Sequence, residues 1–437
     1  MRITNIYATP WFSQDGRVGD VPPDHLQLWR FEREFRMSAD QLPRVLAREQ
    51  LDRDQLGFKR WQSLADRVTG ARIWLFSQPS GHVVAAFSLD IDCPLGDTIG
   101  LLEDCFFGDV RIGEESLHDR AYTLARQLGA ADGADDQEFL PERHQVIFDQ
   151  VPAPDNVDDL VQRLIYRTDL PYRREFSSIR YPLELNRRPG WLAAVGPYVS
   201  VVAGHPTFVE NTIFISAVQA VAAAARLRWI RQAAYEDVRV FRGAEPSLRT
   251  TQERRRTLEA ITDQLGDLEL ELSYSVEAPA DLGLLVPSLR VESFHNTLFN
   301  AMGLADKADT AGRMLQRLSR AIEAELTSIE SIERRADDNR RVRYTVAAGF
   351  ISTVAIPATL ILAFFGINAS QVDPGRSMFD PIYLGIYVSV GGLLLVGIVL
   401  SLVLYLQQRR EMRAQRPPAP ALRRSSRLSN HERPSQD

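Results

Sequence analysis

Cysteine is almost missing from this chain: Cys93 and Cys105 are the only two in 437 residues. They stand in no C-x-x-C or paired Cys/His spacing, which excludes a zinc knuckle or a disulfide framework. Lysine is as scarce, with Lys59 and Lys307 set against dozens of arginines. That skew points to a GC-rich genome rather than to guanidinium chemistry. No G-x-x-x-x-G-K-[ST] loop, H-E-x-x-H or G-x-S-x-G occurs. His82, His118, His144 and His205 are scattered singly, and the one pairing worth weighing, His205 with Glu210, has Pro206 between and no third partner. An enzyme is therefore not expected. The start, Met1-Arg2-Ile3-Thr4-Asn5-Ile6-Tyr7, lacks the apolar run and small-residue cleavage site of a signal peptide, so the soluble part is expected in the reducing cytoplasm. The net charge of −6 sums a more acidic soluble part and a basic tail beyond Leu406. No nucleic-acid partner is expected from that balance.

What the chain does have is two long apolar runs near its end. Tyr344–Phe365 and Ile382–Leu406 are each close to the ~20 apolar residues a membrane-crossing helix needs. Arg334, Arg335, Arg340, Arg341 and Arg343 precede the first, and Arg409, Arg410, Arg413 and Arg416 follow the second. Positive charge on both flanks assigns both to the cytoplasm and the short connection to the outside. The expectation is a multi-pass protein of the plasma or inner membrane, with both termini cytoplasmic.

The rest is too long for one core. Residues 1–206 read as an α/β domain. Alternation suggests a strand at His25–Glu32, and Arg72–Gln78 with His82–Asp90 around Pro79-Ser80-Gly81 reads as a hairpin. Further strands are expected at Gln145–Phe148 and Tyr198–Ala203, and a helix over Val157–Tyr166. The acidic segment Gly129–Glu138 reads as a solvated loop or a peripheral divalent-cation site. Residues 207–343 read as helical. Ile213–Ala225 is too short to cross a bilayer and reads as a buried helix. Thr251–Tyr274 carries Leu258, Ile261, Leu265, Leu268 and Leu272 at three-four spacing, and Ser288–Met302 follows a break at Gly283 and Pro287. A last helix, with Leu315, Leu318, Ile322, Ile329, Ile332 and Ala336 on one seam, meets no Pro or Gly before Gly349. From Thr310 to Phe365 it would measure ~80 Å. Residues 344–406 form the membrane hairpin, with an outer loop at 366–381. The tail, 407–437, has a disordered composition.

These C-terminal residues resemble the CorA family of divalent metal-ion transporters. The match is a long helix entering a first span, Gly366-Ile367-Asn368 at its outer end, a short loop, a second span and a basic tail. The family signature is Gly-Met-Asn, and Gly-Ile-Asn occurs in its zinc-transporting ZntB-like branch. Pro357 and Thr359 stand where the family has a proline and a threonine inside the first span. The resemblance covers Thr310–Arg413; over the N-terminal part only the order of elements is similar. It implies a homo-oligomer, a pentamer, that passes Mg²⁺ or else Zn²⁺, Co²⁺ or Ni²⁺, with a divalent cation as transported and regulatory ion and no covalently bound cofactor. It also implies a selectivity filter of Gly366, Ile367 and Asn368, and a pore lined by Thr345, Ala348, Ser352, Ile356, Thr359 and Ala363 with Ile356 as gate.

The physics of the signature stands apart from the family. Mg²⁺ sheds its inner waters reluctantly, so a ring of neutral amide oxygens such as Asn368 can hold the hydrated ion without trapping its charge. Asn368 as a plain helix C-cap is the alternative. The small, hydroxylated face is likewise compatible with a close-packed interhelical seam. In the outer loop Asp373 and Asp380 are the candidates for cation attraction, and Arg376 between them opposes it. The arginines of the tail suit anionic headgroups, at ~1 kcal/mol each near the surface. A different class of function fits the altered loop: a signalling or defence effector that uses the membrane module as a pore or anchor.

Overall fold

The computed structural model describes residues 1–13, 43–130, 138–153, 157–170, 173–243, 251–280 and 289–352, with scattered positions beyond these up to Leu406. The strand expected at His25–Glu32, most of the acidic segment and the tail lie outside the described residues. By internal contacts the chain divides into two units, Met1–Leu326 and Thr327–Asp437.

The first unit holds a seven-stranded sheet. In chain order its strands are β1 (Arg2–Phe12), β2 (Arg44–Leu51), β4 (Val68–Ser77), β5 (His82–Ile91), β8 (Arg143–Asp149), β9 (Leu192–Val195) and β10 (Val199–Ala203). They lie side by side as β2-β4-β5-β1-β8-β10-β9. The expected hairpin is β4–β5, with Ser77 opposite Val83. β3 (Leu56–Phe58), β6 (Val110–Ile112) and β7 (Glu115–Ser116) form a separate small sheet. Among the described residues, β8 and β10 are the one parallel pair in the seven-stranded sheet. A parallel pair needs a crossover, and the segment between them carries the helix Asp158–Tyr166.

Three short helices, α1 (Ile99–Phe107), α2 (Leu117–Gln127) and α3 (Asp158–Tyr166), supply one outer layer. Side chains alternate across a strand, so Ile3, Ile73, Phe87 and Leu89 join Leu101, Leu102, Val161 and Leu164 in one core cluster. Their neighbours Thr4, Trp74 and Ser88 turn to the other face. There they meet Phe214 of α4 (Thr207–Gly243). Trp74 and Phe76 each meet Phe214 edge to face, with centroids 6.3 and 5.3 Å apart. The result is a three-layer α/β arrangement with the sheet in the middle.

Helix α4 is 37 residues long, because no Pro or Gly interrupts the chain after the apolar stretch Ile213–Ala225. Among the described residues it is the one helix long and apolar enough to cross a membrane, yet 83% of its apolar window is buried. It is a core helix, as its short apolar run suggested. α5 (Thr251–Leu272) buries Leu258, Ile261, Leu265, Leu268 and Leu272, the five positions of the sequence pattern, and ends in a widened turn at Ser273–Glu277. α6 (Leu289–Ala301) stops at Gly303, whose φ of +65° lies in the left-handed region that glycine enters without strain. α7 (Leu304–Phe350) starts at once and runs for 47 residues. It therefore begins six residues earlier than the periodicity suggested.

In the second unit the described positions Ile356, Thr359 and Ala363 are helical, as are those between Leu384 and Leu406. Asp380 accepts a hydrogen bond from the backbone N–H of Ile382 at 3.5 Å and caps the short turn Pro381–Tyr383 that opens the second run.

Candidate functional site

The residues expected to face an ion path lie on α7 and at positions beyond it. Gly366, Ile367, Asn368, Pro357, Asp373 and Arg376 lie outside the described residues. All six face positions are described: Thr345, Ala348, Ser352, Ile356, Thr359 and Ala363 are each exposed. Ile356 is 51% exposed. Thr345 returns its hydroxyl to the carbonyl of Arg341 at 2.9 Å, which satisfies the polar group inside the helix. On the second run Leu384, Val388, Leu395, Val396, Ile398 and Leu402 are also each more than half exposed. A bare apolar surface of this kind is costly in water and marks contact with lipid or protein. The carboxylate of Asp380 is engaged at the start of this run, so its position in the loop is fixed by capping.

A second cluster, missed from sequence, sits between the sheet and α4. Arg2 reaches Asp90 at 2.7 Å and Glu210 at 2.8 Å, and Arg72 reaches Asp90 at 3.2 Å. Register explains half of it, since Arg2 and Asp90 are directly opposed on β1 and β5. Glu210, on the first turn of α4, has its carboxyl raised by burial, against the pull of Arg2. Burial works against the charge on Arg2 as well, and its two carboxylates outweigh that and raise it. The cavity beside them, about 40 Å³, has room for about one water. This fully paired network fastens the start of α4 to the sheet. It also disposes of the pairing considered for His205 and Glu210: Glu210 bonds Arg2, while His205 lies against Trp191 at 4.7 Å.

Four histidines are interior. His82 contacts the Thr9 carbonyl through Nε2 at 2.7 Å, and His144 contacts Ser200 Oγ at 2.8 Å. His295 lies between Ser216 Oγ at 2.7 Å and the Pro279 carbonyl at 2.8 Å. Burial pulls His82, His205 and His295 down to about 4 and His144 to about 3. Cys105 is buried, and burial pushes Cys93 up to about 11 and Cys105 higher still. Among the described residues no three His, Cys, Asp or Glu side chains converge as a metal would require.

The first third of α7 borders an open groove of about 630 Å³, walled by Val238, Phe241 and Arg242 of α4 and by Arg313, Met314 and Arg317 of α7. Further along, Arg254 of α5 pairs with Glu325 at 2.5 Å. No family model, no curated protein and no solved structure matches this chain. What defines it is its own architecture: a three-layer α/β body with a helical layer in the first unit, and exposed apolar positions in the second.

Proposed function

We propose that the chain is a CorA-like membrane protein that assembles as a homo-oligomer, a pentamer by the resemblance, and passes divalent cations, Mg²⁺ first and then Zn²⁺, Co²⁺ or Ni²⁺. The observation that supports the reading is the unbroken helix Leu304–Phe350, with Thr345 and Ala348 on it and Ser352, Ile356, Thr359 and Ala363 beyond it all exposed in the single chain. Small and hydroxylated side chains on a bare helix face suit water and a hydrated ion once copies surround a common axis. Asn368 and Gly366 supply the outer ring in this reading, Ile356 the constriction. Asp373 and Asp380 draw cations to the mouth, and the tail arginines rest on anionic headgroups. Transport runs down the electrochemical gradient, and no covalent chemistry is involved.

Arg376, between Asp373 and Asp380, favours a second reading, an effector that uses the same membrane module as an unselective pore or an anchor. Flux of Mg²⁺, Zn²⁺ and Co²⁺ into dye-loaded proteoliposomes separates the two. Selective flux that Asn368→Ala abolishes or de-selects is the expected outcome. An intact oligomer with no flux, or a leak indifferent to Asn368→Ala, sinks the transporter reading.

A further inference from the structure

Arg167 is the one non-glycine residue with a positive φ, +53°, among the described residues. It stands just past the end of α3, where the chain turns through the left-handed region that glycine ordinarily fills. The cap itself needs only backbone: the N–H of Arg167 bonds the Leu164 carbonyl at 3.2 Å, and that of Thr168 bonds the Arg163 carbonyl at 3.0 Å. The side chain thus has another use. Its guanidinium lies 3.6 Å above the ring centre of Phe106 and 5.7 Å from that of Tyr198. Its Nη1 is buried with no hydrogen-bond partner among the described residues. Burial draws this group down to about 10, and the neighbouring Arg143 adds to the fall while Tyr198 and Glu103 oppose it. Glu103 is itself bonded to Arg60 at 2.5 Å.

Arg143, on β8, converges on the same ring from 5.1 Å. One of its nitrogens bonds the Phe106 carbonyl, which quiets the negative end of α1. Two exposed aromatic rings flank the pair: Phe107 is 62% and Tyr198 48% exposed, with ring centres 5.2 and 5.4 Å from that of Phe106. A half-buried guanidinium on left-handed backbone, stacked on Phe106 beside a second cation and with one nitrogen short of a hydrogen-bond acceptor, leaves hydrogen-bonding capacity unused in the free protein. Part of the Arg167 side chain stays open to solvent, where an anion with several oxygens can meet it, and a guanidinium fork fits phosphate in particular. The open rings beside it offer a surface on which a flat body can stack.

We propose that Arg167 and Arg143, with Tyr198 and Phe107, form a binding site for a phosphate monoester carried on an aromatic body, a mononucleotide being the simplest member of that class. The site lies on the α/β body and does not depend on the transport reading.

The test uses the purified full chain in detergent, titrated calorimetrically with AMP, adenosine and inorganic phosphate. AMP is expected to saturate one site per chain and to bind at least about tenfold more tightly than either fragment. Arg167→Gly removes the guanidinium while keeping the left-handed turn unstrained, so its melting temperature without ligand should hold or rise while AMP affinity falls at least about tenfold. Arg167→Lys, which keeps the charge and loses the planar fork, should also weaken AMP. The proposal is overturned if wild type shows no saturable AMP binding, or if adenosine binds as tightly as AMP. It is equally overturned if both variants bind AMP within about twofold of wild type. Should Arg167→Gly not fold, the lysine variant alone decides in the same way.

Discussion

His82, His144, His205 and His295 are scattered singly along the sequence, yet all four end in the interior with their charged forms disfavoured by burial. An imidazole whose folded value lies below the unfolded ~6.5 leaves the unfolded chain holding more protons, so stability rises with pH. The contribution is fully present above ~6.5 and is lost as pH falls from there toward about 4. Each site adds a slope of at most ~1.4 kcal/mol per pH unit in that window. Denaturant melts at pH 7.5, 6.5 and 5.5 should therefore show steadily falling midpoints, before the carboxylates begin to titrate. Equal midpoints across that range would contradict the interior, neutral histidines. Little of this was legible in advance, since a histidine's fate depends on which face of which strand it occupies. The Arg2–Glu210 contact was hidden for the same reason: its partners are 208 residues apart, and only the strand order brings β1 beneath α4.

Among the elements, amphipathic helices were the most legible. Every leucine and isoleucine of the α5 pattern is buried, because a helix packed on one side writes its period into the sequence. β1 was unreadable for the opposite reason. It lies between β5 and β8 with Ile3 to Ala8 buried on both faces, and a strand covered on both sides loses its alternation. The seam of α7 was half legible. Leu315, Leu318, Ile322 and Ile329 are buried as their spacing suggests, but Ile332 is 55% exposed. The buried part of the seam includes the stretch beside α5, which starts at Thr251 and whose Arg254 pairs with Glu325. Leu315→Ala should thus cost ~2–5 kcal/mol of stability, while Ile332→Ala should stay within ~0.5 kcal/mol. Urea titrations of the two variants check this, and comparable losses would mean that the seam is covered along its whole length within one chain.

For the molecule as a whole, the exposed apolar surface from Tyr344 onward demands a covering, and the sequence leaves two assignments open for the Thr345–Ala363 face, a water-filled path or a dry seam. Cysteine chemistry can tell them apart, because the chain has only two cysteines of its own. Burial raises the thiols of both Cys93 and Cys105, and it is the thiolate that reacts. A single cysteine at Ile356, on the proposed path, can be compared with one at Leu395, which is 64% exposed on the second run and off the proposed path. If the path is wet, a charged thiosulfonate reagent modifies Ile356→Cys in proteoliposomes readily, and modification blocks divalent flux. Leu395→Cys should react far more slowly, since a membrane excludes both the charged reagent and the thiolate. Equal, slow modification at both positions would assign the small-residue face to helix packing, and the ion path would have to be sought elsewhere or given up.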